Sequence, residues 1–261
     1  MTTLHAEWVK LRTARSTVWI LVAIVALTVG LSAFVCSALD TEGGSPTNRG
    51  DEDVVLNSLS GVVLGQVAAV ALGVLAITSE YATGLVRTTF TVFPHRRSVL
   101  AAKAAIVAGC GVVAGFAGAA GGFLAGQPIL HGNGFVYANG YPLVSLTDPQ
   151  ALRAVAGSAL YLGLVALLGF GVGTLLRHTA GAMTVVLGLL FVPFMVALSM
   201  PEGVREPLQK AAPMTAGLAI QRTVLRADSV PIGEWAGLGV LALWTVVALL
   251  AGFWVIGRRD A

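Results

Sequence analysis

Charged residues are spaced so widely along this chain that they leave five uncharged gaps, each long enough to cross a lipid bilayer. Between Arg15 and Asp40 lie 24 uncharged residues, and between Asp53 and Glu80 lie 26. Arg153 to Arg177 encloses 23, Arg177 to Glu202 encloses 24, and Glu234 to Arg258 encloses 23. A helix needs about 20 apolar residues to cross a hydrocarbon core about 30 Å thick. Each gap therefore predicts one crossing.

A sixth gap, of 44 residues from Lys103 to Asp148, would make a helix of roughly 66 Å, about twice the core thickness. Its second half holds Gln127, Pro128, Gly132, Asn133, Gly134, Asn139, Gly140 and Pro142, which favour turns. One helix over about 99–126 is expected there, followed by an outer loop with room to re-enter the membrane. The expectation is an all-α polytopic membrane protein of one domain, with six spans. Their places are about 17–39, 58–78, 99–126, 154–176, 179–200 and 235–257. Composition agrees: 56% of the 261 residues are hydrophobic and 11% charged, against about a quarter charged in soluble domains. Disordered, collagen-like and disulfide-stapled chains are excluded by the scarcity of charge, the lack of a Gly period and the presence of only two Cys.

Six crossings put both termini on one side. That side carries Lys10, Arg12, Arg15, Arg87, Arg96, Arg97, Lys103, Arg177, Arg258 and Arg259, 10 basic residues against 6 opposite. The positive-inside rule then predicts cytoplasmic termini. The basic balance thus reflects orientation, and the usual inference from basic charge to nucleic acid is unsupported. Sixteen mostly polar residues before a long first apolar run argue against a cleaved signal peptide. Cys36 and Cys110 fall at different depths and are expected to be buried thiols.

No Asp, Glu, Lys or Arg falls in the middle of a predicted span, whereas ion-coupled carriers and pumps usually keep one there. His5, His95, His131 and His178 are scattered near membrane surfaces, without metal-ligand spacing. The dipeptide Gly-Lys never occurs, so no P-loop is present. The chain is expected to have no catalytic, metal or cofactor residues and not to be an enzyme by itself. Any ATP and Mg would be held by another polypeptide.

Four regions stand out. Leu4, Trp8 and Leu11 share one helical face beside Lys10, Arg12 and Arg15, so residues 1–16 predict a helix lying in the headgroup layer or a plain juxtamembrane anchor. The inner connection 79–98 carries Leu85, Val86, Phe90, Val92 and Phe93, too apolar for a solvated linker. A short helix docking on a partner, or one lying on the membrane, fits it. Gly111/Gly115, Gly118/Gly122 and Gly122/Gly126 allow close helix approach, within the chain or between copies. Residues 201–233 predict short outer interfacial helices interrupted at Pro207 and Pro213. Gln66, near the middle of span 2, either bonds a neighbouring helix or meets cargo.

Several of these residues resemble one family. Glu7-Trp8-x-Lys10-Leu11-x-Thr13-x-Arg15-Ser16 is similar to the start of ABC-2-type permeases, the membrane subunits of small bacterial ABC exporters. Ile77-Thr78-Ser79-Glu80-Tyr81, then Gly84, Arg87-Thr88-Thr89, Pro94, Arg96-Arg97, Leu100 and Lys103, looks like the same family's inner loop. Ala212-Pro213-x-x-Ala216-Gly217-x-Ala219 is similar too. The resemblance implies a type V-like fold with a cytoplasmic elbow helix (Trp8, Lys10, Leu11, Arg12, Arg15) and a coupling helix at 79–98. It implies that Glu80, Tyr81, Gly84, Arg87, Thr88, Thr89, Pro94, Arg96 and Arg97 meet the ATPase. Two P-loop ATPase subunits and a second permease subunit would complete the exporter, in a bacterial inner membrane. A route without intramembrane charge would suit a hydrophobic or amphipathic cargo: drug, antibiotic, lipid or peptide. An ATP-independent carrier or channel, and a non-transport immunity or sensor protein, are the competing expectations.

Overall fold

A computed structural model describes residues 15–39, 52–83, 96–141, 143–224 and 231–259. The helices are α1 (Arg15–Ala38), α2 (Val54–Ser58), α3 (Val62–Thr83), α4 (Arg96–Gly132), α5 (Pro149–Leu176), α6 (Thr179–Leu198), α7 (Glu202–Ala211), α8 (Pro213–Gly217) and α9 (Glu234–Arg259). Short 3-10 turns cover Tyr137–Asn139 and Leu218–Gln221, and no strand occurs among the described residues. Six helices, α1, α3, α4, α5, α6 and α9, are long and apolar enough to cross a membrane. Hydrocarbon offers no partner to backbone N–H and C=O groups, so such segments must bond within themselves.

The helix α5 is the axis of the bundle. It packs against α3, α4, α6 and α9. Over its most apolar stretch 72% of residues are buried, against 17% in α1, 22% in α6 and 28% in α9, which form the periphery. Small residues set the spacing around it. A Cβ added to Gly73 of α3 would sit 1.8 Å from the Ala166 carbonyl oxygen of α5, so only glycine admits this crossing. The glycines of α4 divide by face: Gly111 and Gly115 abut α5, while Gly118, Gly122 and Gly126 abut Thr28, Ser32 and Cys36 of α1. Within the chain, then, the small-residue pairs serve its own packing.

Three boundaries differ from expectation. First, α4 continues through Pro128 to Gly132, six residues past the predicted end at 126. Proline lacks an N–H and crowds the preceding turn, but the added turns are held by their surroundings. Gln127 Nε2 donates to Ser58 Oγ at 3.4 Å, and Leu130 is buried with Cys36, Val54, Phe135 and Tyr141. Asn133 Nδ2 then donates to the Cys36 and Leu39 carbonyls, two of the acceptors left open at the end of α1. Second, the 201–233 segment is not uniformly interfacial. Amphipathic α7 is largely exposed, but Met214, Ala216, Gly217, Ala219, Ile220 and Gln221 are buried. The chain tucks between helices there: a Cβ on Gly217 would meet the Tyr161 ring at 2.7 Å, and a Cβ on Gly157 would meet Ile220 at 2.1 Å. Third, residues 54–61 form α2 and a turn, so α3 begins at Val62 and Gln66 lies in its first turns instead of mid-span.

Candidate functional site

The six long apolar helices begin and end at two ends of opposite character. Arg15, Arg96, Arg177 and Arg259 mark one, here the basic end, while Asp53, Asp148, Glu202 and Glu234 mark the other. The connection from α3 to α4 leaves from the basic end. At its root the Lys103 ammonium donates to Glu80 Oε1 at 2.5 Å, with Lys103 3% exposed and the Glu80 side chain 15% exposed. Lys103 lies about 10 Å along α4 from its first residue. Removing both charges from water is costly, and the pair is tolerable there because each neutralises the other. An ionisable residue inside a membrane helix marks a functional site by default.

Two neighbouring contacts extend this cluster to α5 and α6. The Arg177 guanidinium stacks over the Tyr81 ring, 5.1 Å from its centroid. Thr179 Oγ1 donates to Thr78 Oγ1 at 2.9 Å. Arg177 ends α5 at φ 54, the one non-glycine residue with positive φ among those described. That conformation costs a side-chain-bearing residue roughly 1–2 kcal/mol, which the cation–π contact offsets in part. The cluster thus ties the end of α3, the start of α4 and the α5–α6 corner into one unit.

Gln66 is fully buried. Its Oε1 accepts from the Tyr161 hydroxyl at 2.5 Å, and its Nε2 faces Met214 Sδ at 3.5 Å. The amide is therefore shared among α3, α5 and α8, with no open wall for a solute to touch. Of the two roles expected for it, the contact with a neighbouring helix is the one this geometry contains.

A second polar network lies at the acidic end. Asp53 is 2% exposed, and its carboxylate accepts from Leu56 N, Thr223 N, Thr223 Oγ1 and Val224 N. Arg153 donates to the Arg222 carbonyl and pairs with Glu234 at 2.9 Å. Burial pushes the Arg222 guanidinium down from its ordinary pKa, while Glu234 and Asp53 push it back up; arginine stays charged throughout. Together these contacts fasten residues 222–224 to the starts of α2, α5 and α9.

Of the residues singled out in the sequence, Glu80, Tyr81, Arg15 and Gln66 are described with their side chains. Trp8, Lys10, Leu11 and Arg12 of the expected elbow, and Gly84, Arg87, Thr88, Thr89 and Pro94 of the connection, lie outside the described residues. Arg96 and Arg97 open α4, with only their backbone described. Sequence reasoning used Lys103, Asp53 and Arg153 as the ends of uncharged gaps and passed over Tyr161. The overlooked signal was Lys103 itself, seven residues inside a helix where a boundary charge belongs at the end.

No described residues form a group of three or more His, Cys, Asp or Glu able to hold a metal ion. In sequence comparison no protein-family model matches the chain, and no curated protein matches it.

Proposed function

We propose that this chain is the membrane subunit of an ABC-2-type exporter, in a bacterial cytoplasmic membrane with both termini inside. In this reading it is not an enzyme. Two copies of a P-loop ATPase bind ATP and Mg and hydrolyse the nucleotide, and a second permease subunit, identical or related, completes the gate. The cargo is hydrophobic or amphipathic.

The observation that carries the reading is the part-buried Glu80–Lys103 pair at the root of the 84–95 connection. A push delivered to a loose connection would be absorbed by its own flexibility. Anchoring both its ends to the bundle, and through Thr78–Thr179 and Tyr81–Arg177 to the next two helices, gives the push something rigid to move. Nucleotide binding would then shift the bundle between two states because the ATPase binds one of them better. Glu80 acts in this scheme as a positioning residue through Lys103, and Gly84, Arg87, Thr88, Thr89, Pro94, Arg96 and Arg97 supply the docking surface.

The test is co-purification of the chain with a P-loop ATPase, followed by ATP-dependent efflux of lipophilic dyes in reconstituted vesicles. Efflux that requires ATP and the companion supports the reading. Full-speed movement of solute by the isolated chain under an ion gradient, with no companion, overturns it in favour of a carrier or channel.

A further inference from the structure

The helices α1 and α4 run side by side in the same direction, yet they do not touch along their whole length. Toward the acidic end they meet closely. Cβ atoms added to Gly118, Gly122 and Gly126 would lie 3.1, 2.9 and 2.9 Å from Thr28, Ser32 and Cys36. Each contact pairs a residue of α1 with one 90 positions later, so one helix follows the other turn by turn there. Toward the basic end a groove opens along the seam between them. A Cβ on Gly109 would meet nothing within 4 Å. The groove is an apolar crevice of about 810 Å³, walled by Leu21 and Val25 on one side and Ile106, Gly109, Val113 and Ala117 on the other.

Three features of this wedge select its occupant. Its walls on α4 extend from Ala105 to Ala117, about 18 Å of helix, close to the roughly 15 Å depth of one leaflet's hydrocarbon. It closes where the glycines bring the helices together, so a membrane-spanning helix about 10 Å wide could follow it for only half its length. Its open end points toward Arg15, which is exposed at the start of α1, and toward Arg96 and Arg97 at the start of α4. The one acidic side chain described at that level, Glu80, is engaged with Lys103. An apolar slot one leaflet deep, between two helices whose basic-end starts carry the exposed Arg15 and the sequence Arg96-Arg97, matches an acyl chain whose headgroup is anionic.

We infer that this crevice is a binding site for an anionic phospholipid of the leaflet at the basic end. One acyl chain lies between α1 and α4, and the phosphate lies at the level of the two helix starts, where Arg15 is exposed. The site stands whether or not the exporter reading does, because it uses only the packing of two helices and the charge at their ends.

Photo-crosslinking tests it. The full chain is reconstituted in phosphatidylcholine vesicles doped with either phosphatidylglycerol or phosphatidylcholine bearing a diazirine on the acyl chain, and adducts are mapped by peptide mass spectrometry. Phosphatidylglycerol adducts are expected to concentrate on the crevice walls, above those on Leu243 and Leu250, which are 64% and 62% exposed on α9. The preference over phosphatidylcholine should be about fivefold for each arginine engaged. Gly109→Leu, which fills the crevice, should remove the adducts. Arg15→Gln, at an exposed side chain, combined with Arg96→Gln and Arg97→Gln at the start of α4, should remove the headgroup preference in a chain that keeps its thermal stability. Adducts spread evenly over all exposed apolar faces, or equal labelling by both lipids, would overturn the site. An unlabelled crevice would also overturn it, and crosslinking of Cys110 between copies would then assign the crevice to a second chain.

Discussion

Lys103 reaches across from α4 to Glu80 near the end of α3, joining by one largely buried ion pair two helices whose connection is the longest at the basic end. Truncating one partner takes the opposite charge away from the other; breaking a fully buried pair costs about 3–5 kcal/mol, an upper bound for this part-buried one. Lys103→Met and Glu80→Gln should each lower thermal stability in detergent markedly. The double substitution should recover most of the loss, because no charge is then stranded. A double-mutant cycle measures this directly, and additive losses would show that the pair is not coupled.

The function of the same pair needs a readout that stability does not move. In the exporter reading the double variant Glu80→Gln/Lys103→Met folds and still binds the ATPase, yet cargo no longer stimulates hydrolysis. Basal ATP turnover should stay near wild type while the cargo-stimulated increment falls. Unchanged stimulation in a folded double variant would remove Glu80 from any positioning role.

Tyr161 and Gln66 support a third prediction. Tyr161→Phe deletes the donor to a fully buried amide oxygen and should cost about 1–3 kcal/mol. Interhelical hydrogen bonds in membranes often fall at the lower end of that range. Combining it with Gln66→Leu should restore part of the loss, since neither polar group then lacks a partner. Selectivity among cargoes should be unaffected by Gln66→Leu, because the side chain is enclosed; altered selectivity in a stably folded variant would mean that another conformation exposes it.

Sequence legibility followed the physics of each feature. Five of the six long apolar helices were readable because hydrocarbon disfavours charge along some 30 Å of helix, and the five 23- to 26-residue gaps record that exclusion directly. The extra turns of α4 were not readable, because Pro128 and Gly132 are locally turn-forming and only contacts to Ser58, Cys36 and Val54, distant in sequence, hold the helix there. Similarly, Pro213 to Gln221 read as interfacial from its flanking charges, yet Gly217 and Ile220 fit against Tyr161 and Gly157 of α5. The Glu80–Lys103 pair was hidden for a related reason. Two charges 23 residues apart carry no sign of pairing until the α3–α4 hairpin brings them together.

At the acidic end, Asp53 holds Thr223 and Val224 by bonds to two backbone amides and a hydroxyl. Asp53→Ala leaves those donors without an acceptor and should destabilise by about 1–3 kcal/mol. The effect should be local. Hydrogen exchange at the Thr223 and Val224 amides should accelerate, while amides in the middle of α5 keep their protection. Uniform acceleration through the bundle would instead make Asp53 part of the global fold.

Glycines of similar sequence appearance should respond with opposite sign. Gly73 leaves no room for a side chain, so Gly73→Val forces α3 away from α5; overpacking of this kind costs about 1–3 kcal/mol and often more against backbone. Gly109 faces open space, so Gly109→Ala adds only helix propensity, worth up to about 1 kcal/mol. Thermal unfolding of the two variants in the same detergent should therefore bracket the wild type, Gly73→Val well below and Gly109→Ala at or above it. A loss at Gly109→Ala comparable to that at Gly73→Val would mean that the mouth between α1 and α4 closes on the glycine in the membrane, and the crevice would lose its basis.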